Sequence, residues 1–167
     1  MIVVMAGVAS SDVQAFVALG SNLGDREENI TMAVDALRNS DGIMVRRQSS
    51  LLENPAVGGP PDSPPFLNAV AEVRTALPAH ELLDRLLDIE RQLGRVRNQK
   101  WEPRLIDLDL VLYSDQIIDR PQLIVPHPLL HERDFVLRPL VEIAPEALHP
   151  RLQMTAREML QRLAGVD

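Results

Sequence analysis

GRVRNQKWEPRLIDLDL, residues 94–110, sets Arg95, Arg97, Lys100 and Arg104 just ahead of Asp107 and Asp109. The first part, with its Gly, Asn, Gln and Pro, reads as a loop. The second runs on into LIDLDLVLY (105–113) and reads as a strand. Strand side chains alternate, so Asp107 and Asp109 share one face while Ile106, Leu108 and Leu110 point into a core. Carboxylates one strand repeat apart stand about 6.5 Å apart at the backbone. That arrangement suits a divalent cation held by one or two carboxylates plus substrate phosphates. A neighbouring arginine-rich loop suits phosphoryl transfer, which depends on positioning and charge neutralisation. The plain alternative is a solvated strand face beside surface salt bridges.

The chain has 167 residues, 46% hydrophobic and 25% charged, which fits one domain with a sizeable core. Residues 1–12 read as a loose N-terminal extension and 13–167 as the domain. The net charge of −7 argues against non-specific nucleic-acid binding, so an anionic ligand needs a local basic cluster. Without cysteine there is no disulfide, thiol nucleophile or zinc-thiolate site, which is compatible with the cytoplasm. Residues 1–12 lack the basic start of a signal peptide, and no run approaches the ~18 apolar residues of a membrane span. Lys100 is the only lysine, and Trp101 follows it, which excludes a Walker A loop.

Periodicity predicts strands at 13–19, 43–51, 66–76 and 105–113, with helices from Asp25 to about Asn39 and over 78–93. The order is β-α-β-β-α-β, an α+β ferredoxin-like pattern of helices on an antiparallel sheet, followed by a C-terminal extension. In that extension 117–119 reads as a short edge strand. Residues 133–143 read as a helical turn interrupted by Pro139, and 155–164 as a short helix. GSNLGD (20–25) is a phosphate cradle or, more simply, a strand-to-helix turn. ENPAVGGPPDSPP (53–65) holds five prolines and two glycines and is irregular, either a mobile loop over a site or a plain connection. Phe66 and Asn68 share a face and could stack on and read a flat heterocycle, or could be a core aromatic and a backbone-satisfying amide. Glu90 borders the stripe of the second helix, as a site residue or a rim charge. Pro126 and Pro128 keep His127 out of a helix, and a zinc site with His131 lacks a clear third ligand.

The stretches ALGSNLGD (18–25), FLNAV (66–70), IERQLGRVRNQKWEPRLIDLDLVLY (89–113) and VPHPLLHERDFVLRPLVEIAPE (125–146) resemble the 6-hydroxymethyl-7,8-dihydropterin pyrophosphokinases of folate biosynthesis. The resemblance covers nearly all of the chain after about residue 14. It implies a ferredoxin-like fold and transfer of the pyrophosphoryl group of ATP to the reduced pterin, giving the pterin diphosphate and AMP. It matches Asp107 and Asp109 to the pair that holds two Mg2+ ions with ATP, and Arg95 and Arg104 to catalytic loop arginines. Arg97, Lys100, Glu90, His127 and Arg133 fall on the ATP side. Asn54, Pro55, Val57, Phe66, Asn68, Trp101 and Phe135 fall on the pterin side. A cytoplasmic monomer, with no nucleic-acid or membrane partner, is the expected state. The 97–101 loop is one residue shorter than in some relatives, and Gln122 stands where some carry arginine. Two rivals remain at this point: a metal-dependent phosphohydrolase built on Asp107 and Asp109, and a ferredoxin-like small-ligand-binding module.

Overall fold

The computed structural model describes residues 12–55, 64–94 and 105–165. Val57, Arg95, Arg97, Lys100, Trp101 and Arg104 therefore lie outside the described residues, as do residues 1–11 of the expected extension.

Strand β1 (Val13–Ser21) runs through the middle of the sheet, where its alternating apolar residues can be covered on both faces. It pairs antiparallel with β4 (Phe66–Thr75) on one side and β5 (Asp107–Tyr113) on the other. The outer flank of β4 takes two short strands in succession, β2 (Ile43–Gln48) and β3 (Leu52–Asn54). The spatial order β2-β4-β1-β5 is the split arrangement expected of a βαββαβ chain. The segment 43–51, expected as one strand, breaks at Ser49 because three residues (49–51) face two on β4 (69 and 70). The Ser49 amide donates to Val70 O and its hydroxyl accepts from Val70 N, both at 2.9 Å, which fixes the bulge.

One face carries α1 (Arg26–Arg38) and α2 (Ala79–Gln92). Asp25 caps α1 by accepting from Glu28 N at 3.0 Å, and Gly42 ends the following turn at φ +85°. Ile30, Ala33, Val34 and Leu37 meet Ala15, Val17, Leu19, Ala71 and Val73. In α2 the buried stripe is Ala79, Leu82, Leu86, Ile89 and Glu90. Full burial of Leu82 and Leu86 contributes about 1.5–3 kcal/mol each.

The extension adds a layer on the opposite face. Here α3 (Asp134–Ile143) and α4 (Ala156–Leu163) pack on Phe16, Val70, Val111 and Leu112. Helix α3 does not break at Pro139. That residue forgoes one amide bond, but it sits buried with Val136, Leu140 and Ile143, whose packing holds the helix. Thr155 and Glu158 form a capping box on α4. A register shift opposite Phe16 and Val17 leaves Val111 and Leu112 on the same side and returns Tyr113 to the first core. Beyond β5 a small hairpin, β6 (Ile118–Arg120) and β7 (Leu123–Val125), leads to His127, whose amide donates to Val111 O at 2.9 Å.

Candidate active site

Asp107 and Asp109 share a strand face, as alternation requires, and Leu108 and Leu110 lie in the core behind them. Their partners across β1 are Gly20 and Ala18, so small neighbours leave the face open. Both aspartates line two clefts at once, one of about 700 Å3 and one of about 320 Å3. The carboxylates thus stand on the wall that the clefts share.

The larger cleft is aromatic. Phe66 and Asn68 project from the start of β4, and Phe135 enters from the first turn of α3. The Arg133 guanidinium lies 5.7 Å from the centre of the Phe135 ring. Asn68 is buried; its Nδ2 donates to Asn54 Oδ1, while Asn54 Nδ2 donates to Pro55 O at 3.0 Å. A Cβ built on Gly20 would lie 3.1 Å from Asn68 Oδ1 and 3.5 Å from Phe66 Cδ1, so the missing side chain is part of the cleft. The rest of GSNLGD forms a turn that fastens neighbouring chain. Gly24 takes φ +69°, Asn29 donates to Leu23 O at 2.8 Å, and Asn22 donates to Pro64 O at 3.4 Å. Arg26 donates to Pro65 O at 2.9 Å and pairs with Glu53 at 2.7 Å, which ties both ends of the proline-rich segment.

The smaller cleft is aliphatic, lined by Leu83, Leu87, Leu110 and Leu123 with Gln122, Glu90 and His127. Glu90 is 3% exposed and is no rim charge: its Oε2 accepts from Leu108 N at 2.7 Å, on the outer edge of β5. That bond holds the strand from which both aspartates project. His127 Nδ1 accepts from Leu129 N at 3.1 Å, so the neutral ring carries its hydrogen on Nε2. Burial lowers the His127 pKa most; Asp109 opposes the shift and Arg133 adds to it. Asp109, His127 and Arg133 line one small recess between the clefts. Among the described residues no three His, Cys, Asp or Glu side chains could close on a metal by themselves.

The model of the 7,8-dihydro-6-hydroxymethylpterin-pyrophosphokinase (HPPK) family matches residues 16–145. The 2-amino-4-hydroxy-6-hydroxymethyldihydropteridine pyrophosphokinase of Bacillus subtilis is 45% identical over 157 residues, 92% of this chain and 93% of the relative. The chain belongs to the HPPK family. The Folic acid synthesis protein fol1 of Schizosaccharomyces pombe is 38% identical over 89% of this chain, which spans 20% of that longer protein. The crystal structure of wild-type Plasmodium falciparum HPPK-DHPS superposes with a TM-score of 0.68 at 15% identity, over 92% of this chain and 45% of the other. This chain therefore spans about half the length of that solved protein, and the likeness bears on the fold alone.

All cleft residues named above fall inside the HPPK match, whereas the hairpin β8 (Leu148–His149) and β9 (Met154–Thr155), and α4 after it, lie beyond it. Leu129, Glu132, Asp134 and Val136 also line the larger cleft, and sequence reading did not pick them out; Gly20, read as the start of a phosphate cradle or turn, lines it too. Glu132 and Asp134 flank Arg133 and share its 3-10 turn and helix start, which was the available signal. Leu83 and Leu87 lie at helical spacing with the core residues Leu82 and Leu86 but are half-buried; both line the smaller cleft, and Leu83 also packs against the first core.

Proposed function

We propose that this protein transfers the pyrophosphoryl group of ATP to 6-hydroxymethyl-7,8-dihydropterin, giving the pterin diphosphate and AMP, in the synthesis of tetrahydrofolate. The observation that carries the reading is the acidic wall shared by an aromatic cleft and an aliphatic one. It supports a flat ring on one side, a nucleotide on the other, and the reacting atoms where they meet. Among the described residues no helix is long and apolar enough to cross a membrane.

In this reading Phe66 and Phe135 flank the pterin ring. With Asn68 Nδ2 committed to Asn54, its Oδ1 is the atom turned to ring N–H donors, helped by backbone groups of Asn54, Pro55 and Val57. The adenosine lies against Leu83, Leu87 and Leu123. His127 Nε2–H and Arg133 donate to phosphate oxygens, joined by Arg95, Arg97, Lys100 and Arg104; guanidinium forks suit charge spread over equatorial oxygens. Trp101 excludes water from the joined clefts, which protects ATP from hydrolysis. Glu90 holds the backbone between the two aspartates in place.

Two hard carboxylates on one face, with no third protein ligand among the described residues, fit a cation that also binds phosphate. Asp107 and Asp109 would hold Mg2+, two ions in the fullest form of this reading, and bound Mg2+ supplies charge neutralisation at the phosphates.

The test is incubation with ATP and Mg2+, with and without the pterin. AMP that forms only with pterin is the expected result. Phosphate release without pterin would instead support the phosphohydrolase. Pterin binding without turnover that survives Asp107→Ala would support a binding module.

A further inference from the structure

The two walls of the aromatic cleft come from separate elements. Asn54 and Pro55 follow β3, whereas Phe135 stands at the start of α3. Helix α3 lies on the sheet through Val136, Leu137, Leu140 and Ile143. The hydrophobic effect is non-directional; packing sets how deep a helix sits, and polar bonds add a directional restraint. The N-cap residue of α3, Arg133, makes no side-chain cap hydrogen bond, so the polar side-chain restraint on this helix lies elsewhere.

It comes from the other end. Glu142 Oε2 accepts from Ser50 N at 2.9 Å, and Glu142 Oε1 accepts from Ser50 Oγ at 2.7 Å. Ser50 lies in the bulge between β2 and β3, so its amide turns to the helix rather than to β4. Beside it, Arg47 Nη1 donates to Ile143 O at 2.8 Å, and its Nε lies 3.5 Å from Glu72 Oε1. Glu72 is 7% exposed and its other oxygen accepts from Gln14 Nε2 at 3.0 Å, so Arg47 has a fixed base.

We infer that the Ser50–Glu142 contact, backed by Arg47, is a brace that sets the spacing between Phe135 and the Asn54–Pro55 wall. Ser50 precedes Asn54 by four residues of bulge and strand. Glu142 follows Phe135 by seven residues of helix, about 10 Å of rigid rod. A tilt at Glu142 is therefore delivered to the Phe135 ring, and displacements near 1 Å matter to catalysis. Ser50 and Glu142 are positioning residues for the pterin and touch neither substrate. The inference rests on the assignment of the aromatic cleft to the pterin.

Five full-length variants test it: Glu142→Ala, Glu142→Gln, Ser50→Ala, the double alanine variant, and Arg85→Ala, which removes a comparable surface bond to Asp41 O. Two readouts are taken: amide hydrogen exchange over residues 51–55 and 133–136 without substrate, and KM for pterin and for ATP. In Glu142→Ala, exchange should quicken in both segments, and the pterin KM should rise about five- to tenfold, with the ATP KM within twofold. Glu142→Gln, whose amide can still accept from Ser50 N and donate to Ser50 Oγ, should restore most of the loss. The double variant should be no worse than Glu142→Ala, the non-additivity expected of one shared contact. Unchanged exchange in Glu142→Ala overturns the brace. So does an equal rise in both KM values, or the same pterin effect from Arg85→Ala. If the wild-type chain forms no AMP with pterin, the assigned function fails separately, and the exchange comparison still decides the brace.

Discussion

Replacing Gly20 with alanine probes the floor of the aromatic cleft with a single carbon. The added Cβ would lie 3.1 Å from Asn68 Oδ1 and 3.5 Å from Phe66 Cδ1, with Phe66 Cε1 next at 3.9 Å. Comfortable contact begins near 3.5 Å, so the amide must retreat by roughly 0.4 Å. It cannot do so freely, because Asn68 Nδ2 is bonded to Asn54, which is bonded in turn to Pro55 O. Overpacking of this kind costs about 1–3 kcal/mol. If the strain falls on the bound state, kcat/KM for pterin should drop roughly 5- to 160-fold at 1.36 kcal/mol per decade. Gly20 is absent from the lining of the aliphatic cleft, so the ATP KM should stay within twofold. The assay is AMP formation with pterin varied at saturating ATP, run beside a thermal melt. Gly24→Ala is the companion variant: it strains a φ of +69° near Leu105 and Asn29, so it should lower Tm by a few degrees yet spare the pterin. An unchanged pterin kcat/KM in Gly20→Ala, or a matching loss for ATP, would refute the reasoning.

Asp107→Ala and Asp109→Asn should each lower kcat at least about 100-fold with little change in Tm, read by AMP release at several Mg2+ concentrations. Normal turnover and metal dependence in Asp109→Asn would remove that residue from the chemistry. Glu90→Leu leaves the Leu108 amide without its acceptor and should cost about 1–3 kcal/mol in denaturant unfolding, whereas Glu90→Gln keeps an acceptor and should recover most of it. The His149 pKa is lowered from 6.5, by burial first and then by His131; a backbone hydrogen bond opposes the shift, and Arg151 adds least to it. The unfolded chain therefore binds that proton more readily than the folded one. The stability is present above pH 6.5 and is lost as pH falls below it toward the folded value. His149→Asn, which can keep an acceptor for the Arg151 and Leu152 amides, should flatten unfolding free energy against pH over that acid range.

Much of the site could be read from strand parity. Once 105–113 is a strand, Asp107 and Asp109 must share a face, and once 66–76 is one, so must Phe66 and Asn68. Local spacing says less about where the chain bends. The 43–51 run looks continuous because nothing in SSLL announces a bulge; it arises from register against β4 and from Glu142, 92 residues away. Pro139 argued for a broken helix, and only tertiary burial of Val136, Leu140 and Ile143 overrules it. Leu83 and Leu87 sit at helical spacing with Leu82 and Leu86, and a leucine facing a cleft has the same sequence signature as one facing a core. Glu90 reads as polar on a stripe edge, and the strand amide that justifies its burial is not local to it.

Because one partition of the molecule serves both compartments, occupancy of either must be felt in the other. Negative charge arriving beside Asp107 and Asp109 from the aliphatic side changes the potential on the aromatic side of the same strand. Linkage then imposes a symmetry: whatever factor the nucleotide applies to pterin affinity, the pterin applies to nucleotide affinity. A titration begun with either ligand closes the same thermodynamic square, and a factor of one in both directions would mean that the shared wall couples nothing.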